Sequence, residues 1–116
     1  MYEKIERDRI LDTIQSVPKQ YHFVLSAIMQ LDKTGESIFT GDVYNKYEEI
    51  SKKTRNDVLT QRRVSDILAE FDMLGIINTR VISKGRQGRT REIKLMLSSN
   101  IKVKAREIVE KGLGIK

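Results

Sequence analysis

Residues 60–77 read TQRRVSDILAEFDMLGII, and this stretch decides the fold. Thr60 is a typical N-cap residue, and Gly75 stands where a glycine commonly follows the end of a helix. Apolar residues recur between them at intervals of three and four, which predicts a helix with one buried face. These residues are Val64, Ile67, Leu68, Phe71 and Leu74.

A β-hairpin, called the wing below, is predicted directly after this helix. Residues 76–84 are rich in Ile, Val and Thr and favour a strand. The two glycines within 85–89 predict a turn, since glycine readily adopts positive φ. In 91–97 the apolar residues Ile93, Leu95 and Leu97 alternate with other residues, as in a returning strand with one buried face.

Helical patterns also precede and follow this region. Residues 3–15 are predicted as a helix, and Pro18 suits the first turn of a second helix that ends at 32–35. A short extended piece covers 37–39, and Thr40 is predicted as the N-cap of a third helix, followed by a turn over 51–59. A last helix begins at 98.

The order of these elements predicts a mainly α protein with a small β wing, a winged helix-turn-helix with flanking N- and C-terminal helices. We assign 17–97 to the winged-helix domain and 98–116 to a C-terminal helix packed on it. Tyr44, Tyr47, Phe39 and Phe71 are predicted as core residues and His22 as a surface or boundary residue.

The charge is placed unevenly along the chain. Lys and Arg number 22 against 16 Asp and Glu, and the whole excess of +6 lies within 52–91, which holds ten basic and four acidic residues. The densest part, 80–91, has five basic residues and no acid. A local basic field indicates an anionic partner, first of all a phosphate backbone. The alternative is a solvated basic hairpin without a partner.

Several function classes are disfavoured by the residues present. The sequence has no Cys and a single His, so it offers no thiol chemistry and no Cys- or His-rich metal site. No GxxxxGK[ST] phosphate loop occurs, and no apolar run could span a bilayer. We therefore expect no enzyme, no metal and no membrane partner, and a cytoplasmic location.

The helix beginning at Thr60 presents candidate DNA contacts. On a helical wheel, Arg62 and Ser65 lie opposite the apolar face, while Arg63 lies on one flank. Recognition helices place their N-terminal residues against base edges. Thr60 and Gln61 suit phosphate contacts at the helix start, and Arg62 or Arg63 would reach the bases.

The wing adds a second set of candidates. Its tip, residues 84–91, carries cations on both arms, and arginines on a thin hairpin can enter a narrow minor groove. Arg80 is predicted to lie on the opposite face of the hairpin, where it would contact a flanking phosphate. The tip candidates are Lys84, Arg86, Gln87, Arg89 and Arg91.

Three motifs resemble a known family: QRRVSD at 61–66, LGII at 74–77 and KGRQGRTREI at 84–93. The sequence resembles the C-terminal winged-helix domain of archaeal replication initiators, which are related to eukaryotic origin recognition complex subunits and to the cell-division-control-type helicase loader. The resemblance implies sequence-specific binding of double-stranded DNA at replication origins, with the third helix of the helix-turn-helix unit in the major groove and the wing in the minor groove. It gives those roles to Arg62, Arg63, Ser65, Lys84, Arg86 and Arg89.

The same resemblance implies an AAA+ ATPase module outside this sequence. Residues 1–16 would then be a connecting helix, and ATP and Mg²⁺ would belong to that module. A nucleoid-associated monomer is expected, with a replicative helicase or other replication proteins as further partners.

Two alternatives remain at this point. A winged-helix transcription regulator would use the same DNA surface but would usually dimerise, with the terminal helices as its interface. A protein-docking winged helix would use acidic residues on its back, namely Glu48, Glu49, Asp72 and Glu92.

Overall fold

The structure is a computed structural model that describes residues 2–33, 35, 37–83 and 89–113. Helices and a small sheet follow one another in the predicted order. The elements are α1 (Tyr2–Ser16), α2 (Lys19–Asp32), β1 (Ile38–Phe39), α3 (Thr40–Lys53), α4 (Gln61–Met73), β2 (Ile77–Ser83), β3 (Arg89–Leu95) and α5 (Ser99–Leu113). Five helices and a three-stranded antiparallel sheet confirm a mainly α winged-helix fold.

Strand β3 is the centre of the sheet, whose order is β1-β3-β2. Strands β2 and β3 form the wing and pair from Ile77 opposite Leu95 to Ser83 opposite Arg89. Strand β1 pairs only with the base of the wing, through Ile38 opposite Ile93. The base of the wing is thus joined to the helical body through β1. In the described far half of the wing, β2 and β3 pair only with each other.

The stripe on α4 is buried as predicted, with one exception. Val64, Ile67, Leu68 and Phe71 are at most 5% exposed. Leu74 is 42% exposed, so its assignment to the buried stripe was wrong. The reason is that α4 ends at Met73 and Leu74 is the C-cap, after which Gly75 takes φ +80°. That left-handed conformation suits glycine, as the sequence predicted.

Helix α3 differs from the prediction at both ends. Its N-cap is Phe39 rather than Thr40, because Phe39 is still extended and the Asp42 carboxylate accepts its N–H at 3.1 Å. The helix continues to Lys53, so the predicted turn over 51–59 begins late. Ser51 faces the interior and is fully buried, which shows that the buried face of α3 runs on to this position.

His22 was predicted at the surface or boundary, but it is 8% exposed. Its Nε2 lies 2.6 Å from the carbonyl oxygen of Ile14, which can only accept, so Nε2 donates. The physical reason for the difference is that the ring reaches back to the last turn of α1 and bonds to its backbone. The ring therefore joins two helices inside the molecule.

The terminal helices belong to the same packed body. Ile14 of α1 and Ala105 and Val109 of α5 are buried within the common core. Lys102 Nζ lies 2.8 Å from the Asp32 carboxylate and ties α5 to the end of α2. Among the described residues, no helix has the length and apolar content needed to cross a membrane.

Candidate nucleic-acid interface

The N-terminal turn of α4 is exposed, although the rest of the helix is anchored in the core. Residues 60–63 are all exposed, and Val64 is the first buried side chain. The Thr60 hydroxyl accepts the Arg63 N–H at 3.2 Å, which confirms Thr60 as the N-cap. The start of a helix also presents free N–H groups and a positive dipole end, both of which favour anions.

Tyr21 shows which way the flank of α4 faces. The Tyr21 ring meets Phe71 edge-on, with centroids 5.7 Å apart. A side-chain hydrogen bond with Glu70 raises the pKa of Tyr21, and burial adds to this, whereas the charge of Arg63 lowers it. Arg63 and Glu70 therefore lie on the flank of α4 that faces α2.

Arg62 and Ser65 occupy a different side of α4. At about 100° per residue they lie opposite the buried stripe, and both are exposed. Within the described part of the chain, neither Arg62 nor Arg63 forms an ion pair. The structure thus brings Thr60, Gln61, Arg62, Arg63 and Ser65 to one end of the helix, with Arg62 and not Arg63 pointing directly away from the core.

The two described wing arginines lie on opposite faces of the sheet. Arg80 pairs in register with Glu92, and Arg91 with Val81, so alternation along the strand separates the two arginines. The Arg80 side chain is 77% exposed, and its guanidinium lies 3.4 Å from the Glu92 carboxylate. Arg91 is also exposed and lies on the sheet face that carries Ile93.

The predicted contacts of Lys84, Arg86 and Gln87 fall outside the described residues. Arg89 is the first residue of β3 and pairs opposite Ser83, but its side chain likewise lies outside the description. Their roles stay predictions from the sequence.

The acidic residues of the docking alternative are engaged locally. Glu48 lies 4.0 Å from Lys52, and Glu49 lies 3.5 Å from Lys46. Asp72 accepts a hydrogen bond from the Thr79 hydroxyl at 3.0 Å, and Glu92 pairs with Arg80. Each carboxylate is partly compensated by a neighbour, which weakens its attraction for a distant basic partner.

Sequence reasoning treated two tyrosines only as core residues and missed a second role. Tyr47 is fully buried, and Tyr44 is partly buried. Their hydroxyls bond to the peptide groups of Leu59, immediately before α4. The available signal was the residue type itself, because a buried Tyr hydroxyl needs a hydrogen-bond partner where a Phe does not.

Comparison with known proteins places this arrangement among replication proteins. The family described as "CDC6, C terminal winged helix domain" matches residues 12–105. ORC1-type DNA replication protein 4 of Haloarcula marismortui is 50% identical over 94 residues, which are 80% of this chain and 18% of that protein. The ORC1-type DNA replication protein of Pyrococcus furiosus is 49% identical over 98 residues, 84% of this chain and 23% of that protein.

A solved structure has the same fold. The Aeropyrum pernix ORC1 protein in complex with DNA matches with a TM-score of 0.86 and 35% identity, over 95% of this chain and 28% of that one. The chain thus spans about a fifth of the length of the curated relatives named above.

Proposed function

The chain belongs to the family of CDC6 C-terminal winged-helix domains, and from this membership we propose that it binds double-stranded DNA sequence-specifically at replication origins. One observation carries the proposal: the whole excess charge of +6 lies in residues 52–91, and that stretch includes α4, β2 and the first three residues of β3. A phosphate backbone is the partner that such a field attracts.

In this proposal α4 enters the major groove, which is about 12 Å wide and admits a helix. The buried stripe fixes α4 to the core, so its opposite side is presented as a stable surface. Arg62 projects from that side and is placed for a bidentate contact with guanine. Arg63, on the flank facing α2, contacts the backbone, as do Thr60 and Gln61 at the helix start.

The wing enters the adjacent minor groove with Lys84, Arg86, Gln87 and Arg89. Arginine is favoured there because a narrow minor groove concentrates negative potential. Arg80 and Arg91, on opposite faces of the sheet, would each contact a flanking phosphate. Support comes from the density of basic residues over 80–91.

ATP and Mg²⁺ have no place in this part of the proposal. The sequence lacks a phosphate loop, and the described residues hold no cluster of three or more His, Cys, Asp or Glu side chains that could bind a metal ion. We assign both to an ATPase module of the larger replication protein. DNA binding by this chain is then independent of nucleotide.

The chain acts as a nucleoid-associated monomer in this proposal, and sedimentation tests its oligomeric state. A replicative helicase or other replication proteins would be further partners of the larger protein.

A duplex titration tests the proposal. The protein is titrated into labelled duplexes of about 30 base pairs, one with a candidate origin element and one scrambled, at two salt concentrations. We expect affinity to fall steeply with salt and to be higher for the origin element. Arg86→Ala should weaken binding and lower the salt slope by about one unit. No binding at low salt would refute the proposal, and equal binding to both duplexes would refute its sequence-specific part.

A further inference from the structure

The residues that lead into α4 are held by two tyrosine hydroxyls from α3. The Tyr47 hydroxyl accepts the Leu59 N–H at 2.8 Å, and the Tyr44 hydroxyl donates to the Leu59 carbonyl at 3.2 Å. The backbone N–H and the backbone carbonyl of Leu59 are thus both bound by side chains of α3. Leu59 directly precedes the N-cap Thr60.

Helix α2 completes this network through Gln20. The Tyr47 hydroxyl donates to Gln20 Oε1 at 2.8 Å, and Gln20 Nε2 donates to the Asp57 carbonyl at 3.3 Å. The bonds therefore link α2, α3 and the connection before α4. Tyr47 is their centre, since its hydroxyl makes one bond as acceptor and another as donor.

The start of α4 depends on this network more than the rest of the helix does. Residues 60–63 bury no side chain, so hydrophobic packing fixes α4 only from Val64 onward. Residues 56–60 have no regular secondary structure that could hold them in place. The partly buried Leu59 side chain packs against the core, and the hydrogen bonds to the Leu59 peptide groups and to the Asp57 carbonyl fix the backbone at this end of the helix.

We propose that the Tyr47 hydroxyl is a positioning group for base selection by α4, supported by Tyr44 and Gln20. The inference rests on the proposed function, and it adds the residues that set the place of Arg62 in the groove. Hydrogen bonds to base edges weaken steeply when their angle departs from linear, whereas long cationic side chains can follow a phosphate. Loosening the start of α4 should therefore reduce discrimination between DNA sequences more than it reduces electrostatic attraction.

Tyr47→Phe is the decisive variant, because it keeps the buried ring and removes only the hydroxyl. The matched control is Val43→Ala, which removes core volume from the same helix but none of these hydrogen bonds. Both proteins are compared by circular dichroism, at a temperature where each remains folded. Tyr44→Phe serves as a graded companion, since its bond is longer and its side chain is partly exposed.

For Tyr47→Phe we expect the preference for an origin duplex over a scrambled one to fall by roughly threefold to tenfold, the effect of weakening one hydrogen bond between α4 and a base edge. The salt slope should stay as in the wild type, since no cation is lost. Amide hydrogen exchange in the free protein should accelerate at Leu59, whose N–H bonds to the Tyr47 hydroxyl, and at Arg63 and Val64, whose N–H groups bond to Thr60. Val43→Ala should keep the wild-type preference for the origin duplex. The preference of Tyr44→Phe should lie between those of Val43→Ala and Tyr47→Phe.

The outcomes separate this inference from the proposed function. If the wild type selects the origin duplex and Tyr47→Phe matches Val43→Ala in preference and exchange, the inference is wrong and the proposed function stands. If the wild type binds no DNA, both are wrong. If the wild type binds both duplexes equally, α4 has no base contacts to position, and the inference fails while backbone binding stands.

Discussion

Helix α4 and the wing carry basic side chains of the same chain, but they are supported in different ways. Four residues of α4 are buried in the core, so the helix that carries the candidate base contacts is also needed for folding. The wing is buried only near its base, at residues such as Ile77 and Ile93, and Val81 further out is 57% exposed. Under the proposed function, folding and DNA binding would therefore be coupled in α4 and largely separable in the wing.

The two regions also differ in how their described cations are compensated. Arg62 and Arg63 form no ion pair with any residue that the structure describes, whereas Arg80 of the wing lies 3.4 Å from Glu92. A cation that already has a carboxylate partner gains less from a phosphate. The difference predicts that Arg62 and Arg63 each contribute more to phosphate attraction than Arg80 does.

The largest effect expected is on stability, in Phe71→Ala. Phe71 is fully buried and meets the Tyr21 ring, so its removal should cost about 3–5 kcal/mol in the free energy of unfolding. Val81→Ala in the exposed part of the wing should cost less than about 1 kcal/mol. Denaturant titrations of both variants measure the contrast. Similar losses would show that the far half of the wing is as integral to folding as α4.

The next effect is on DNA affinity and distinguishes the two arginines of α4. Arg62→Ala should cost about 1–3 kcal/mol on the preferred sequence and reduce selectivity. Arg63→Ala should weaken binding to all sequences and lower the salt slope by about one unit. Arg106→Ala in exposed α5 removes the same charge away from the interface and is the control. Reversed behaviour would place Arg63, not Arg62, against the bases.

The order of elements followed from periodicity alone, because α4 and the wing have regular apolar spacing and turn glycines. Three details did not follow: two depend on contacts between different helices, and one depends on a local bond at a helix end. His22 bonds to the carbonyl of Ile14 in the last turn of α1, and Phe39 caps α3 because the Asp42 carboxylate accepts its N–H. Tyr47 holds the start of α4 through a residue twelve positions away. Local patterns do not show which distant group a polar side chain meets.

The candidate site divides in the same way. Exposure of residues 60–63 and the opposite faces of Arg80 and Arg91 were predictable from helix and strand periods. It was not predictable that the flank of α4 with Arg63 faces Tyr21, since this depends on how α4 packs against α2.

A smaller effect concerns the Arg80–Glu92 pair in the wing. Exposed ion pairs contribute only about 0–1 kcal/mol, so Glu92→Gln should leave the free energy of unfolding nearly unchanged. It should strengthen DNA binding slightly, because Arg80 is released and one anion is removed. In the Arg80→Ala background there is no arginine to release, so Glu92→Gln changes DNA binding only by removing the negative charge of Glu92. If Glu92→Gln strengthens binding equally in both backgrounds, Arg80 contributes no phosphate contact.

The smallest effect is at alkaline pH and tests how closely the flank of α4 is coupled to α2. The hydrogen bond with Glu70 raises the pKa of Tyr21 above the usual value of about 10. A raised pKa means that the folded state holds this proton more tightly, so the stabilisation is present below pH 10 and is lost as pH rises through the folded pKa. Glu70→Gln removes the charged acceptor, and phenolate absorbance should then show Tyr21 titrating at lower pH. Subtracting the titration of Tyr21→Phe isolates this residue from the other tyrosines. An unchanged titration in Glu70→Gln would mean that Glu70 does not hold the Tyr21 hydroxyl, and the coupling between α2 and the exposed flank of α4 would depend on the contact between the Tyr21 and Phe71 rings alone.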